Sequence, residues 1–143
     1  PDNGNPVQFQ HYGNSDVQHE LLTATLSELY NEGYAGDDIV ILSPKAKDPA
    51  AATLRREPWV SRIKPFTHNL RGQIGFTTIH SFKGREAPVV IITDVERVLG
   101  SRDEQMFYVA TTRAIERLIV LAHDDTRAQL ESLLHDALLG GQS

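Results

Sequence analysis

Three stretches of this chain are apolar without a break: Ile39–Leu42, Pro88–Ile92 and Leu118–Ala122. A strand with one wet face alternates apolar and polar residues. An unbroken run has both faces covered, as in parallel sheets with helices packed on them. The segments between the runs carry the complementary pattern. Asn14, Ser15 and Asp16 supply a helix N-cap, and Val17, Leu21, Leu22, Leu26 and Leu29 then recur at helical spacing to Asn31, with Gly33 placed to end the helix. Val7–Gln10 alternates and predicts a short strand; Ile74–Thr78 predicts another. Strands alternating with helices make the chain α/β with a mainly parallel sheet.

The connections refine this picture. Nine residues, Ile79 to Ala87, join the Ile74–Thr78 strand to the next apolar run. A full helical crossover takes about ten to twelve residues or more, so one helical turn is expected there. Ser101 and Glu104 form a capping box that predicts a helix over Arg102–Ala114, and Phe107, Val109, Ala110 and Ala114 predict that it is largely buried. Thr126 and Gln129 form a second box, with Leu130, Leu133, Leu134 and Ala137 as one apolar stripe and Gly140-Gly141 as the stop. Ala46–Gln73 is the least regular part: Pro49, Pro58 and Pro65 interrupt it, and Ala50–Arg56 predicts a short helix. Residues 1–5 and 140–143 are expected to fray.

A length of 143 residues suits one domain spanning 1–143. The net charge of -5 argues against a general nucleic-acid coat, yet leaves room for a local basic patch. Arg55, Arg56, Arg62, Lys64 and Arg71 make the irregular segment the most basic one, a candidate surface for a phosphate backbone or simply a solvated face. Trp59, Phe66 and His68 in the same segment either stack on bases or close the edge of the core. With no Cys there is neither a disulfide framework nor a thiolate metal site, and the six His residues show no H-x-x-x-H pair. No metal site and no membrane segment are expected, and a cytoplasmic setting is.

Several polar residues stand at strand ends, where ligands of open α/β sheets sit outside the carboxyl edge. Ser43 and Lys45 follow the first apolar run and are either candidates for a phosphate contact, of nucleotide or nucleic acid, or part of a solvated loop. Arg113 lies near the end of the expected apolar helix, where a guanidinium requires an anion. Two partners satisfy that requirement: Glu116, three residues on, or a phosphate supplied from outside. Tyr108, Thr111 and Thr112 add hydroxyls beside it. Glu86, after Lys83-Gly84, suits the hydroxyls of a sugar. Ser81, His80 and Asp94 are the residue types of a hydrolase triad, without a nucleophile elbow around them. The chain contains neither G-x-x-x-x-G-K-[ST] nor G-x-G-x-x-G, so it lacks the usual means of cradling a triphosphate alone.

Thr78-Ile79-His80-Ser81-Phe82-Lys83-Gly84-Arg85-Glu86, with the apolar run behind it, closely resembles motif V of superfamily 1 helicases of the UvrD/Rep/PcrA type. Phe107-Tyr108-Val109-Ala110-Thr111-Thr112-Arg113-Ala114, followed by Leu118, is similar to their motif VI, and Ile39–Lys45 looks like the weaker motif IV. The order matches as well. The resemblance implies a RecA-like, P-loop NTPase-like fold, the second motor domain of an ATP-dependent DNA helicase. It implies that Arg113 is the arginine finger on the γ-phosphate of ATP. Glu86 would contact the ribose and Gly84 would lie beside the nucleotide. Thr78, His80 and Lys83, with Ser43 and Lys45, would serve single-stranded DNA.

The same resemblance implies an N-terminal RecA-like domain of the same polypeptide, holding most of the ATP and Mg2+. This chain is then expected to be a piece of a longer protein and inactive as an ATPase in isolation. Two departures stand out. The family usually has Leu and Phe around the motif V Glu, where this chain has Arg85 and Ala87. Motifs IV and V also follow each other too closely to hold the large insertion of UvrD-type proteins. The alternative is a helicase-like adaptor that binds protein or nucleic acid and catalyses nothing.

Overall fold

The computed structural model describes residues 7–96, 105, 108–129 and 132. Among them are strands β1 (Val7–Tyr12), β2 (Ile39–Ser43), β3 (Ile63–Pro65), β4 (Ile74–Thr78), β5 (Ala87–Val95) and β6 (Ala114–His123), and helices α1 (Ser15–Asn31), α2 (Ala50–Thr53) and α3 (Trp59–Arg62). The strands form one sheet in the order β1-β6-β5-β2-β4-β3, and every pairing is parallel. The α/β reading of the sequence therefore holds. No helix among the described residues is long and apolar enough to cross a membrane.

The unbroken apolar runs are the central strands. All of β2 is buried, and so is β5 from Val89 onward. Alternate residues go to opposite faces, as pleating requires. Ile39, Ile41, Val89, Ile91, Ile119 and Leu121 pack with Leu22, Leu26 and Leu29 of α1, and with Leu54 and Trp59. Val40, Leu42, Val90, Ile92, Leu118 and Val120 pack with Ile79, Phe82 and Ala110 on the other face. Helix α1 starts as expected: the Asn14 side chain accepts the Val17 amide at 2.9 Å. Trp59 belongs to the core, edge-on to Tyr30 at 5.1 Å, with the Arg62 guanidinium over both rings. It is therefore no platform for a base.

Several expectations are corrected. The helix expected over Arg102–Ala114 ends at Thr111, and Ala114 already pairs with Ala87 in the sheet. Nor are its last residues largely buried: Ala110 is, but Val109 is 36% exposed and Thr112 is exposed. Their amides and carbonyls close tight turns, the Thr112 amide donating to Val109 and the Arg113 amide to Ala110. Thr126 does not open the last helix with its side chain; its hydroxyl donates backward to the His123 carbonyl at 2.7 Å. The Ser101–Glu104 box, Phe107, the stripe from Leu130 to Ala137, Gly140-Gly141 and the termini 1–5 and 140–143 lie outside the described residues.

At the carboxyl end of the sheet one carboxylate ties four segments together. Asp94 is 4% exposed and has φ 61°, a left-handed conformation that Asp and Asn tolerate better than most residues. Its side chain accepts from the Thr93 hydroxyl (2.6 Å), the Ser43 hydroxyl (2.9 Å), the Ala50 amide (3.0 Å) and the Gln18 amide (3.3 Å). Its own N–H donates to Gln18 Oε1 at 2.7 Å. Helix α1, β2, α2 and β5 thus meet at one buried anion whose acceptor capacity is used. We predict that Asp94→Asn, which keeps size and backbone preference but turns an acceptor into a donor, destabilises the chain by about 2–4 kcal/mol. A urea unfolding midpoint should report this at unchanged slope; a loss below about 1 kcal/mol would contradict the assignment.

Candidate functional site

The residues from Thr78 to Glu86 are contiguous in sequence but not in place. Thr78 pairs with Ser43, the last residue of β2, whereas Val89 pairs with Ile39, its first. The connection 79–86 therefore runs from the carboxyl end of the sheet to its amino end, along the face opposite α1. The two ends stand about 17 Å apart, the length of a five-residue strand. As expected, the connection is a turn rather than a packed helix. The Thr78 hydroxyl accepts the Ser81 amide at 3.0 Å and donates to the Ser81 hydroxyl, capping the turn. Phe82 is buried and anchors the middle. Gly84 takes φ 82°, which a side chain there would resist.

The candidate residues accordingly fall into two groups. At the carboxyl end are Ser43, Lys45, Thr78 and His80. The Ile79 amide donates to the Ser43 carbonyl at 3.0 Å, so β2 and the turn are joined there. Lys45 and His80 are exposed, and Thr78 is half-buried. Ser43 is 2% exposed, and its hydroxyl donates to Asp94 and accepts the Lys45 amide. It faces inward and offers nothing to a strand outside. Lys83 is exposed on the turn between the two groups.

At the amino end are Gly84, Glu86 and Arg113. The sequence-based expectation that ligand residues sit at carboxyl strand ends is wrong for these three. Glu86 immediately precedes β5, and Arg113 immediately precedes β6. The Ala87 amide donates to the Arg113 carbonyl at 3.0 Å, which fixes Glu86 and Arg113 as neighbours across adjacent strands. From Ala87 to Val89 is two residue steps on β5, but from their partners Ala114 to Arg117 is three on β6. The extra residue is a bulge, a feature that re-aims side chains beside sites. It leaves Ile115 53% exposed and carries Glu116 to the Tyr34 hydroxyl, which donates to it at 2.9 Å. Burial first, and then the bond to Glu116, pushes the Tyr34 phenol pKa up, so Tyr34 stays protonated and remains a donor.

Glu116 is thus bonded to Tyr34 and forms no ion pair with Arg113. Arg113 is half-buried, and its Nε donates to the Val109 carbonyl at 3.3 Å. No ion pair of its guanidinium occurs among the described residues. By contrast Arg117, four residues on, is fully engaged: its guanidinium donates to Glu32 and to Gln8 (2.6 Å) and faces Glu28 at 3.8 Å. Two arginines four residues apart, Arg113 just before β6 and Arg117 within it, therefore divide the roles of open cation and structural tie.

The triad grouping fails. The partners of Asp94 are those of the buried knot, and the Ser81 hydroxyl pairs with Thr78. Among the described residues no three His, Cys, Asp or Glu side chains group around a metal position. The basic segment is not one surface either: Arg62 covers the Tyr30 and Trp59 rings, and Arg55 donates to the Ala52 and Leu54 carbonyls.

Residues 74–121 match the family model of the UvrD-like helicase C-terminal domain. Among solved structures, the C-terminal domain of a possible DNA helicase from Lactobacillus plantarum WCFS1 is similar, with a TM-score of 0.63 at 16% identity over 83% of this chain and 73% of that one. At that identity the likeness speaks for the fold. A comparison with curated proteins gives no significant match.

The geometry separates a site residue from a structural one. Arg113→Ala should change stability by no more than about 0.5 kcal/mol, as a surface substitution does. Arg117→Ala should cost about 1–2 kcal/mol, because it strips hydrogen bonds from Glu32 and Gln8. Denaturant unfolding of the two variants side by side checks the difference.

Proposed function

We propose, from the match of residues 74–121 to a UvrD-like helicase C-terminal domain, that this chain is the second motor domain of an ATP-dependent superfamily 1 DNA helicase. The observation that carries the reading is the pairing of Ala87 with Arg113. It sets a carboxylate and an arginine without a carboxylate partner side by side at the amino end of the central strands. A nucleoside triphosphate offers what each lacks: sugar hydroxyls for Glu86 and phosphate oxygens for Arg113.

In this reading the cleft forms between this amino edge and an N-terminal RecA-like domain of the same polypeptide. That domain holds the phosphates and Mg2+. ATP bound there supplies the phosphoanhydride to be cleaved. Arg113 donates N–H groups to the γ-phosphate and offsets the charge that spreads over its oxygens in the transition state. Gly84 lets the backbone pass close to the nucleotide. At the other end Thr78, His80 and Lys45, with Lys83 on the turn, form this domain's part of the single-strand track. Ser43 supports that end from inside through its carbonyl and through Asp94. The protein would work in the cytoplasm.

Two outcomes test the proposal. The purified 143-residue chain should hydrolyse no ATP above background. In the intact protein, Arg113→Ala should leave nucleotide affinity within a few-fold and lower kcat by about 10³–10⁵, the usual worth of an arginine finger. Turnover by the isolated chain, or an equal loss of binding and turnover in the variant, would overturn the assignment.

A further inference from the structure

Beside Glu86 the amino end of the sheet lines a half-open cavity of about 410 Å³, a volume in the range of small-molecule pockets. Its floor is the start of β2 and β5, at Ile39 and Pro88, and its far wall is the loop 66–71. Arg85 and Glu86 stand at the mouth.

The far wall is built in rather than loosely draped. A Cβ on Gly36 would lie 2.0 Å from the Gly72 carbonyl oxygen, so only glycine allows the loop to close onto the start of β2. A Cβ on Gly75 would lie 2.8 Å from Phe66 Cδ1, so glycine also makes the seat for that ring on β4. The Phe66 amide donates to the Phe76 carbonyl at 2.9 Å, and its ring meets Phe82 edge-on at 5.4 Å. Over Phe66, 5.5 Å from its centre, lies the Arg85 guanidinium. Neither Arg85 nor Glu86 has an ion-pair partner among the described residues.

We propose that this cavity takes the nucleoside half of the nucleotide, its base stacked on the Arg85 guanidinium with Phe66 as backing. The inference rests on the nucleotide reading above and adds a base subsite to it. A guanidinium is planar and stacks on flat groups, and Arg85, held within cation–π distance of Phe66, is exposed to meet one. The charge lining the cavity also selects: Asp37 and Glu86 balance Arg71 and Arg85. Such a site favours a neutral nucleoside and leaves the phosphates outside, on the side where Arg113 neighbours Ala87. Glu86, at the mouth, meets the sugar between them. The residue that departs from the family pattern at position 85 is then the one that reads the base.

The test uses the 143-residue chain, followed by amide resonances during titration with adenine, adenosine and a short oligothymidylate. Adenine and adenosine should shift Phe66, Asn69 and Arg85. Arg85→Leu restores the residue usual in the family and leaves the partly buried Phe66 ring in place. It should weaken both ligands about tenfold, the loss of one stacking contact. Glu86→Gln should weaken adenosine and leave adenine unchanged. Adenine binding that Arg85→Leu does not alter, shifts confined to the carboxyl end, or a response to the oligonucleotide alone would overturn the base subsite. If Arg85→Leu acts as expected but Glu86→Gln affects neither ligand, the subsite stands and the sugar role of Glu86 fails.

Discussion

The hydrogen bond from the Ala87 amide to the Arg113 carbonyl is the first rung between β5 and β6, and the amino end of the molecule is arranged around it. Because the main chain of Arg113 is tied into the sheet, its side chain is not needed to hold the turn. Because the next pairing waits until Val89 and Arg117, the strand bulges, and Glu116 goes to Tyr34 instead of Arg113. The arginine is therefore left without an anion by the register of the sheet, not by a lack of carboxylates nearby. An arginine so placed is open to an anion from outside, as a binding site requires.

The two ends of the sheet are treated differently. The carboxyl end also carries a bulge: Ile92 to Val95 is three residue steps on β5 against two on β6. There the extra residue turns Asp94 inward, and every oxygen of its carboxylate is occupied. A smaller cleft of about 250 Å³ remains at that end, lined by Tyr12, Lys45 and Glu96 among others. Burial, then the charges of Glu96 and Asp94, push the Tyr12 phenol pKa well above its ordinary value, so the cleft keeps a neutral hydroxyl there. At one end the buried carboxylate has its hydrogen bonds satisfied. The other holds an arginine and a carboxylate with capacity to spare.

Much of the fold was legible because burial on both faces leaves an unbroken apolar run, as in Ile39–Leu42 and Val89–Ile92. Helix α1 was legible from its Asn14 cap and its leucine spacing. The start of β6 was not: Ala114-Ile115-Glu116-Arg117 shows no strand alternation, because the bulge interrupts it, and it passes for the tail of a helix. Edge strand β3, three residues long and beginning beside α3, carries too few residues for any period to show. The Asp94 knot was invisible for another reason. Ser43, Ala50 and Gln18 are 51, 44 and 76 residues away in sequence, and no local pattern records such meetings. The site suffered the opposite error. Thr78 and Glu86 are so near in sequence that they read as one place, whereas a parallel crossover sends them to opposite ends.

That crossover gives the proposed motor a physical link between its two tasks. The turn is capped by Thr78 at the carboxyl end of the sheet and pinned by Phe82 in the core. It ends at Arg85 and Glu86 at the amino end of the sheet. Eight residues, 79–86, cross the sheet, and Phe82 in their middle cannot leave its place without opening a hole in a close-packed interior. A displacement of Glu86 imposed by nucleotide closing on the amino edge would therefore move the turn as a body. The Ile79 amide, bonded to the Ser43 carbonyl, would carry it to Thr78 and His80. In a longer, helical crossover the same displacement would be taken up by sliding of the helix on the sheet. Brevity of the connection is what makes this arrangement suited to passing a small movement from one end to the other.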